Sequence, residues 1–310
     1  MRITYWLAAL AVLSGTSSVL ADDVPQPLRV SEVAQGVFVH LGDQAEANRG
    51  NAGDIANIGF IVGDECVAVI DTGGTPQIGA RLRAAISEQT ATPVCCVINT
   101  HMHPDHVLGN RAFAADDTTF IAAAGFDSAL AARSESYLTR MPETIGITAD
   151  SSWIVLSDRQ IDGAAKLDLG GREVTLQSWP TAHTDNDLTV YDEDTGTLWT
   201  GDLLFVDRVP SIDGSITGWL QVLDRLAENG TVGTVVPGHG PVKHDLARAT
   251  APERRYLETI RDDVRKAIAD GYGLQHAVQH TGTQQRSRWL LFDAYHARNV
   301  TAAYTELEWE

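Results

Sequence analysis

The sequence predicts an α/β fold in which two β-sheets pack face to face with helices outside. Three observations carry this reading. Apolar β-type runs alternate with amphipathic helical runs in both halves of the chain. Two turns, Gly63-Asp64-Glu65 and Asp192-Glu193-Asp194-Thr195-Gly196, fold β runs into hairpins. Beyond residue 246 the pattern stays helical, which adds a C-terminal helical extension. With 44% hydrophobic and 21% charged residues over 310 positions, the composition supports a sizeable core.

Taken in order, Arg2, the apolar run Tyr5 to Leu13 and the small-residue close Val19-Leu20-Ala21 read as a cleavable export signal over residues 1–21. The apolar run is shorter than the roughly 20 residues a membrane span needs. The mature chain is therefore expected in the periplasm and not as an integral membrane protein. Its expected parts are a sandwich over 22–245 and the helical extension over 246–310. Val30 to Leu41 alternates as an early strand, and Asp43 to Asp54 is a long polar loop of the kind that often carries function. Asn57–Val62 and Cys66–Ile70 form a hairpin. Pro76 to Glu88 has helical spacing at Ile78, Leu82, Ala85 and Ile86, and Val94–Ile98 follows as a strand, completing a βαβ unit. Val107 to Ala115 and Phe126 to Tyr137 read as helices. Strands are expected at Val174–Trp179, Leu188–Tyr191, Leu198–Thr200 and Thr231–Val236. Helices are expected at Ile216–Ala227, Pro252–Ala269 and Arg286–Leu307.

A formal net charge of −18 repels phosphate backbones, so nucleic acid is not an expected partner. The three cysteines, Cys66, Cys95 and Cys96, lie in two runs read as neighbouring strands. A Cys66–Cys95 bridge and a set of buried free thiols are both open, and the choice between Cys95 and Cys96 is not fixed.

The chemistry concentrates in His101-Met102-His103-Pro104-Asp105-His106. In extended chain, residues two apart point the same way, so His101 and His103 converge while Met102 faces away. Pro104 turns the chain, and Asp105 with His106 then aims at a second point. Three imidazoles and a carboxylate within six residues are the ligand types zinc prefers. Three later residues follow apolar β runs and can complete two shells: His183 in Thr181-Ala182-His183-Thr184, Asp202 in Thr200-Gly201-Asp202-Leu203, and His239 in Pro237-Gly238-His239-Gly240. Asp71, in Asp71-Thr72-Gly73-Gly74, is either a carboxylate that hydrogen-bonds the histidine loop or a local turn residue. His40, His244, His276, His280 and His296 lack ligand spacing, and Trp219, Trp289 and Trp309 read as packing anchors.

The His101–His106 loop, His183, Gly201-Asp202 and Gly238-His239 together resemble the motif series of the metallo-β-lactamase superfamily, over Asn57 to His239. The resemblance implies an αββα sandwich with two Zn²⁺ per chain. It places His101, His103 and His183 on one metal, Asp105, His106 and His239 on the other, and Asp202 between them. It implies hydrolysis by a metal-bridging hydroxide, with Asp105 also acting catalytically on a small-molecule substrate. Asp54 to Phe60, Gly218-Trp219-Leu220 and the tail from Arg298 to Glu310 resemble the SoxH-related quinoprotein relay system zinc metallohydrolases. That narrower resemblance implies a periplasmic quinoprotein or sulfur-oxidation system as partner. Class B β-lactamases lack the bridging aspartate that Asp202 supplies, whereas glyoxalase II and related thioester hydrolases have it. β-Lactam hydrolysis is thus the lesser expectation. Persulfide dioxygenases, which share the fold and hold one iron on two histidines and an aspartate, are the oxidoreductase alternative. A flavodiiron role is disfavoured, because position 103 is His where that group has Glu. A third expectation is non-catalytic, with the helical tail docking an exported quinoprotein.

Overall fold

The structure is a computed structural model that describes residues 25–115, 117–228 and 232–310. The expected export signal lies outside the described residues.

Seven strands form the first sheet in spatial order: β1 (Ser31–Ala34), β2 (Val37–His40), β3 (Ile58–Val62), β4 (Val67–Ile70), β5 (Val94–Ile98), β6 (Thr119–Ala123) and β7 (Arg159–Ile161). The pairings are antiparallel from β1 to β4 and parallel from β4 to β7. The second sheet contains β8 (Ala164–Asp168), β9 (Glu173–Ser178), β10 (Leu188–Asp192), β11 (Thr197–Phe205) and β12 (Thr234–His239), ordered β12-β11-β10-β9-β8. Only its β11–β12 pair is parallel. The helices are α1 (Pro76–Gln89), α2 (Pro104–Val107), α3 (Phe126–Thr144), α4 (Ile216–Ala227), α5 (Leu246–Ala269), α6 (Leu274–His280) and α7 (Phe292–Leu307).

Burial explains the layering. β5 reads Val-Cys-Cys-Val-Ile because a central parallel strand is covered on both faces. Cys96 and Ile98 point into the core between the sheets, against Leu176, Leu188 and Val236. Val97 points the other way, towards Ile78, Leu82 and Ile86 of α1. Thr75 caps α1 by accepting from the Ile78 N–H, and Pro76 opens its first turn. On the far side, β11 and β12 share one core with α4, α5 and α7, through Leu198, Val235, Trp219, Leu223, Tyr256, Ile260, Val300 and Leu307. The C-terminal helices are thus the fourth layer of an αββα sandwich, in keeping with the predicted fold class. No helix among the described residues is long and apolar enough to cross a membrane.

Several elements differ from expectation. The early β run is two strands, bent at Gly36, whose φ of +68° suits a residue without Cβ. Only Pro104–Val107 is α-helical after the histidine loop, and Leu108–Ala112 tightens to a 3-10 helix. α3 continues to Thr144, past the periodic stretch. Strands β6, β7 and β8 carry no clear alternation of hydrophobic residues and escape a reading by pattern. Asp202 lies inside β11, which runs on to Phe205 rather than ending at Thr200. The cysteine alternatives resolve: Cys66 and Cys95 form a disulfide with Cα atoms 5.5 Å apart, and Cys96 is a buried free thiol. Those positions meet because β4 and β5 pair side by side, with Val67 opposite Val94.

Candidate metal centre

The site lies at one edge of the sandwich, where strand ends from both sheets meet. β5 delivers the histidine loop. Met102 turns away, as its place in the alternation requires, and is buried with Ala122, Phe126 and Leu130. Its backbone N–H donates to Asn186 Oδ1 at 3.1 Å, which ties the loop to the turn bearing His183.

The structure brings together all seven residues named from the sequence. They fall into two groups, His101-His103-His183-Asp202 and Asp105-His106-His239, each with donor atoms within 4.8 Å of one another. Within the first, His103 Nδ1 lies 3.1 Å from His101 Nε2 and 3.0 Å from His183 Nε2. Within the second, His239 Nε2 lies 3.4 Å from Asp105 Oδ2, and His106 Nε2 lies 3.9 Å from it. Asp202 joins the groups. Its Oδ2 is 3.4 Å from both His183 Nε2 and His239 Nε2, and its Oδ1 is 3.2 Å from His106 Nε2.

The proton positions follow from the outward-facing nitrogens. His183 Nδ1 is 2.7 Å from the Ser211 carbonyl and His106 Nδ1 is 2.7 Å from Asp71 Oδ2, both acceptors only, so each Nδ1 carries the proton. Thr100 Oγ1 donates to Asp71 Oδ2 at 2.7 Å and so accepts from His101 Nδ1 at 3.1 Å. His239 Nδ1 is 2.7 Å from the Ile55 carbonyl and 3.0 Å from the Arg208 guanidinium. The shorter contact, to a pure acceptor, puts the proton on Nδ1. His103 is reversed: its Nε2 meets Asp213 Oδ2 at 3.1 Å, and its Nδ1 faces inward. Each ring therefore donates outward and keeps a bare lone pair pointing into the centre.

This arrangement tests whether a metal fits. Lone pairs 3.0–3.1 Å apart with no proton between them repel, and a cation between them removes that repulsion. The buried atoms His106 Nε2 and Asp202 Oδ1 also lack a hydrogen-bond partner despite their proximity. Charge points the same way. Burial pulls the His183 imidazole down to about 3, and burial with the neighbouring imidazoles holds His101 low. Against the cost of burial, His106 and His239 keep the Asp105 carboxyl ionised, and His239, His106 and His101 do so for Asp202. Burial opposes a charge on His106, but Asp202, Asp71 and Asp105 raise it well above the ordinary imidazole range, so without a cation its inward nitrogen holds a proton whose place a metal ion would take. The pocket thus concentrates carboxylates that call for positive charge. Imidazole and carboxylate donors in two clusters fit a pair of divalent ions.

Two glycines make the approach possible. A Cβ on Gly238 would stand 1.9 Å from Asp202 Oδ1, and one on Gly201 would stand 2.6 Å from Thr100 Cβ. Gly201 also has a φ of +50°, and the register of β11 against β12 shifts there.

Above the centre opens a cavity of about 360 Å³, lined by His103, Asp105 and His239 and by Arg140, Arg208 and Arg298. Gly53, from the long polar loop Asp43 to Asp54, and Ile55 just beyond it form part of its wall. Arg208 is buried and donates to Tyr295 Oη at 3.3 Å. Sequence reasoning found Asp71, whose oxygens also accept from Thr100 N at 2.8 Å. It missed Asp213, the Ser211 and Ile55 carbonyls, and the three arginines. A carbonyl leaves no trace in residue identity, and the arginines are scattered through chain segments that only folding assembles.

Comparison with known proteins agrees with this geometry. The family model of the metallo-beta-lactamase superfamily matches residues 52–239. The chain belongs to that superfamily. Among solved structures, a metallo-beta-lactamase from Pontibacter korlensis superposes with a TM-score of 0.59 at 19% identity, covering 74% of this chain and 99% of its own. The DIM-1 metallo-beta-lactamase gives 0.58 at 16%, covering 75% and 98%. A stereoselective inverting sec-alkylsulfatase from Pseudomonas sp. gives 0.70 at 16% identity. That match covers 90% of this chain, which spans half of the sulfatase. No curated protein matches the chain by sequence. At these identities the superpositions speak to fold: a superfamily sandwich whose His/Asp cluster could hold metal.

Proposed function

We propose that this superfamily member is an exported, periplasmic binuclear zinc hydrolase that acts on a small anionic substrate. The observation that carries the reading is the inward set of five imidazole lone pairs arranged around Asp202. His101, His103 and His183 would hold one zinc, Asp105, His106 and His239 the other, and Asp202 would lie between. When bound, the pair supplies Lewis acidity and lowers the pKa of a water towards ~7. Asp105, kept ionised by His106 and His239, offers a carboxylate oxygen at the cavity floor that can orient a water and accept its proton. Arg140, Arg208 and Arg298 present positive charge around the same cavity, which suits a negatively charged ester or thioester. Tyr295 steadies Arg208 by hydrogen bond and by ring contact, with the guanidinium carbon 5.5 Å from the ring centroid.

Two further features support the finer reading. The likeness to a sec-alkylsulfatase extends over more of this chain than the likeness to the β-lactamases, and a sulfate group is an anion that arginines recognise well. The resemblance to quinoprotein relay hydrolases fits a role beside a periplasmic quinoprotein or sulfur-oxidation system. Metal quantification on purified protein, followed by a panel of sec-alkyl sulfates, thioesters, lactones and nitrocefin, tests the proposal. About two zinc per chain is expected, with preferred turnover of an anionic sulfate ester or thioester that His101→Ala with His183→Ala abolishes. One iron per chain, or nitrocefin as the best substrate, overturns it.

A further inference from the structure

A second cavity, of about 460 Å³, opens on the other side of Phe205 from the metal centre. The Phe205 ring stacks on His239 at 5.1 Å between centroids, and the residue lines both cavities. The rest of the wall comes from the turn after β12, one face of α5, and the segment around Trp289. Small-molecule sites occupy roughly 300–1,000 Å³, so the size suits a compact ligand.

Its charge is unlike the rest of the molecule. The chain carries a formal −18 with 23 Lys and Arg in all, yet Lys243, Arg248, Arg255 and Arg288 line this one cavity. Arg248 and Arg255, seven apart on α5, share a helix face. Elsewhere on α5 the cations are neutralised: Arg254 pairs with Asp224 and Glu258, Arg261 with Asp262, Arg265 with Glu310 and Lys266 with Asp270. The four cavity cations have no ion-pair partner among the described residues. Two carboxylates share the wall, Asp207 and Asp245. Asp245 is engaged in capping α5 through the Arg248 N–H, so the cations outnumber the remaining acid four to one. Trp289 also lines the cavity and is only 8% exposed, so its ring forms part of the wall. Phe205, Ala249 and Pro252 add an apolar surface beside it.

We propose that this cavity binds a small organic anion, with an acidic head held by Arg248, Arg255, Arg288 and Lys243 and an apolar body against Trp289 and Phe205. The site is separate from the metal centre and does not depend on the hydrolase reading. Calorimetric titration of the zinc-loaded full chain with 1-naphthalenesulfonate, which has no ester bond to cleave, tests it. One binding event per chain is expected. It weakens at least tenfold in Arg248→Glu with Arg288→Glu, and also in the milder Arg248→Gln with Arg288→Gln. Both side chains are exposed, so these variants keep their thermal melt. Binding is unchanged within twofold in His103→Ala, and Trp289→Phe removes the accompanying fluorescence change. Binding that ignores the charge changes or disappears in His103→Ala places the probe at the metal cavity and overturns the proposal. So does equal affinity for neutral 1-naphthol. Absence of binding up to millimolar probe also overturns it, leaving the cationic surface to an acidic protein partner.

Discussion

Each imidazole of the centre is oriented by its own acceptor, and the five acceptors come from four stretches of chain: Thr100, Asp71, Ile55, and the segment that holds both Ser211 and Asp213. Such partners fix ring orientation and raise ligand basicity. Asp71→Asn removes the acceptor that holds the proton on His106 Nδ1, and, for the zinc centre proposed, competition with a chromogenic chelator is expected to show affinity reduced about 10–100-fold. Asp213→Asn, acting on the half-exposed His103–Asp213 contact, should sit at the low end of that range. His40 offers a readout away from the centre. Its Nε2 meets Asp54 Oδ1 at 2.8 Å and its Nδ1 meets the Arg29 carbonyl at 3.0 Å, so both nitrogens donate. Burial works against the charged ring, but Asp54 wins and its pKa rises. A raised folded pKa means the stabilisation is complete below the unfolded value near 6.5 and fades as pH climbs through the folded value. Melting curves from pH 5 to 8 should show that slope in the native chain and lose it in His40→Gln. At this scale the donor side chains were legible in the sequence, because six-residue spacing and the ends of apolar runs announce them. Of the orienting groups Asp71 was legible too, but the others were not, because two are main-chain carbonyls and Asp213 is one acid among many.

Elements contribute through close approach and capping. Gly238 lets β12 pass against Asp202, and an alanine there must displace the carboxylate that joins the two donor groups. Gly238→Ala is therefore expected to lose bound metal and activity together, measurable by metal content per folded chain; full retention of both would refute the packing argument. Glu306 on α7 accepts from the Ile216 N–H at 2.7 Å and Ser215 Oγ at 2.8 Å, capping α4 from a helix 90 residues away. Glu306→Ala should cost about 1–2 kcal/mol in denaturant unfolding, the usual range for a lost cap. The periodic helices α1 and α4 could be read from hydrophobic spacing, and β5 from its unbroken apolar run. β8, alternating between exposed and half-buried residues, could not, since its identity as a strand depends on pairing with β9.

For the molecule as a whole, the C-terminal helices are structural. Deleting 252–310 strips Tyr256, Leu257, Ile260, Val300 and Leu307 from the core of the second sheet, and the truncated chain is expected to unfold or aggregate by circular dichroism and gel filtration. The Cys66–Cys95 bridge closes a loop of 29 residues. By chain entropy it is worth about 3–4 kcal/mol, so Cys66→Ser should lower the unfolding midpoint in proportion. The sandwich and the placing of helices outside it were readable because sheet and helix periodicities differ. The cationic cavity was not, because Lys243, Arg255 and Arg288 come from three segments and only their shared lack of partners distinguishes them.

The Asn57 side chain, buried just before β3, donates to the carbonyls of Pro237 at 2.8 Å and Gly240 at 2.7 Å, at the other end of the sandwich. With the Ile55 carbonyl orienting His239 across 184 positions of sequence, the inward aim of that ring depends on the join between the two ends of the sandwich. Loosening that join would reach the centre through a single imidazole, without touching any donor side chain.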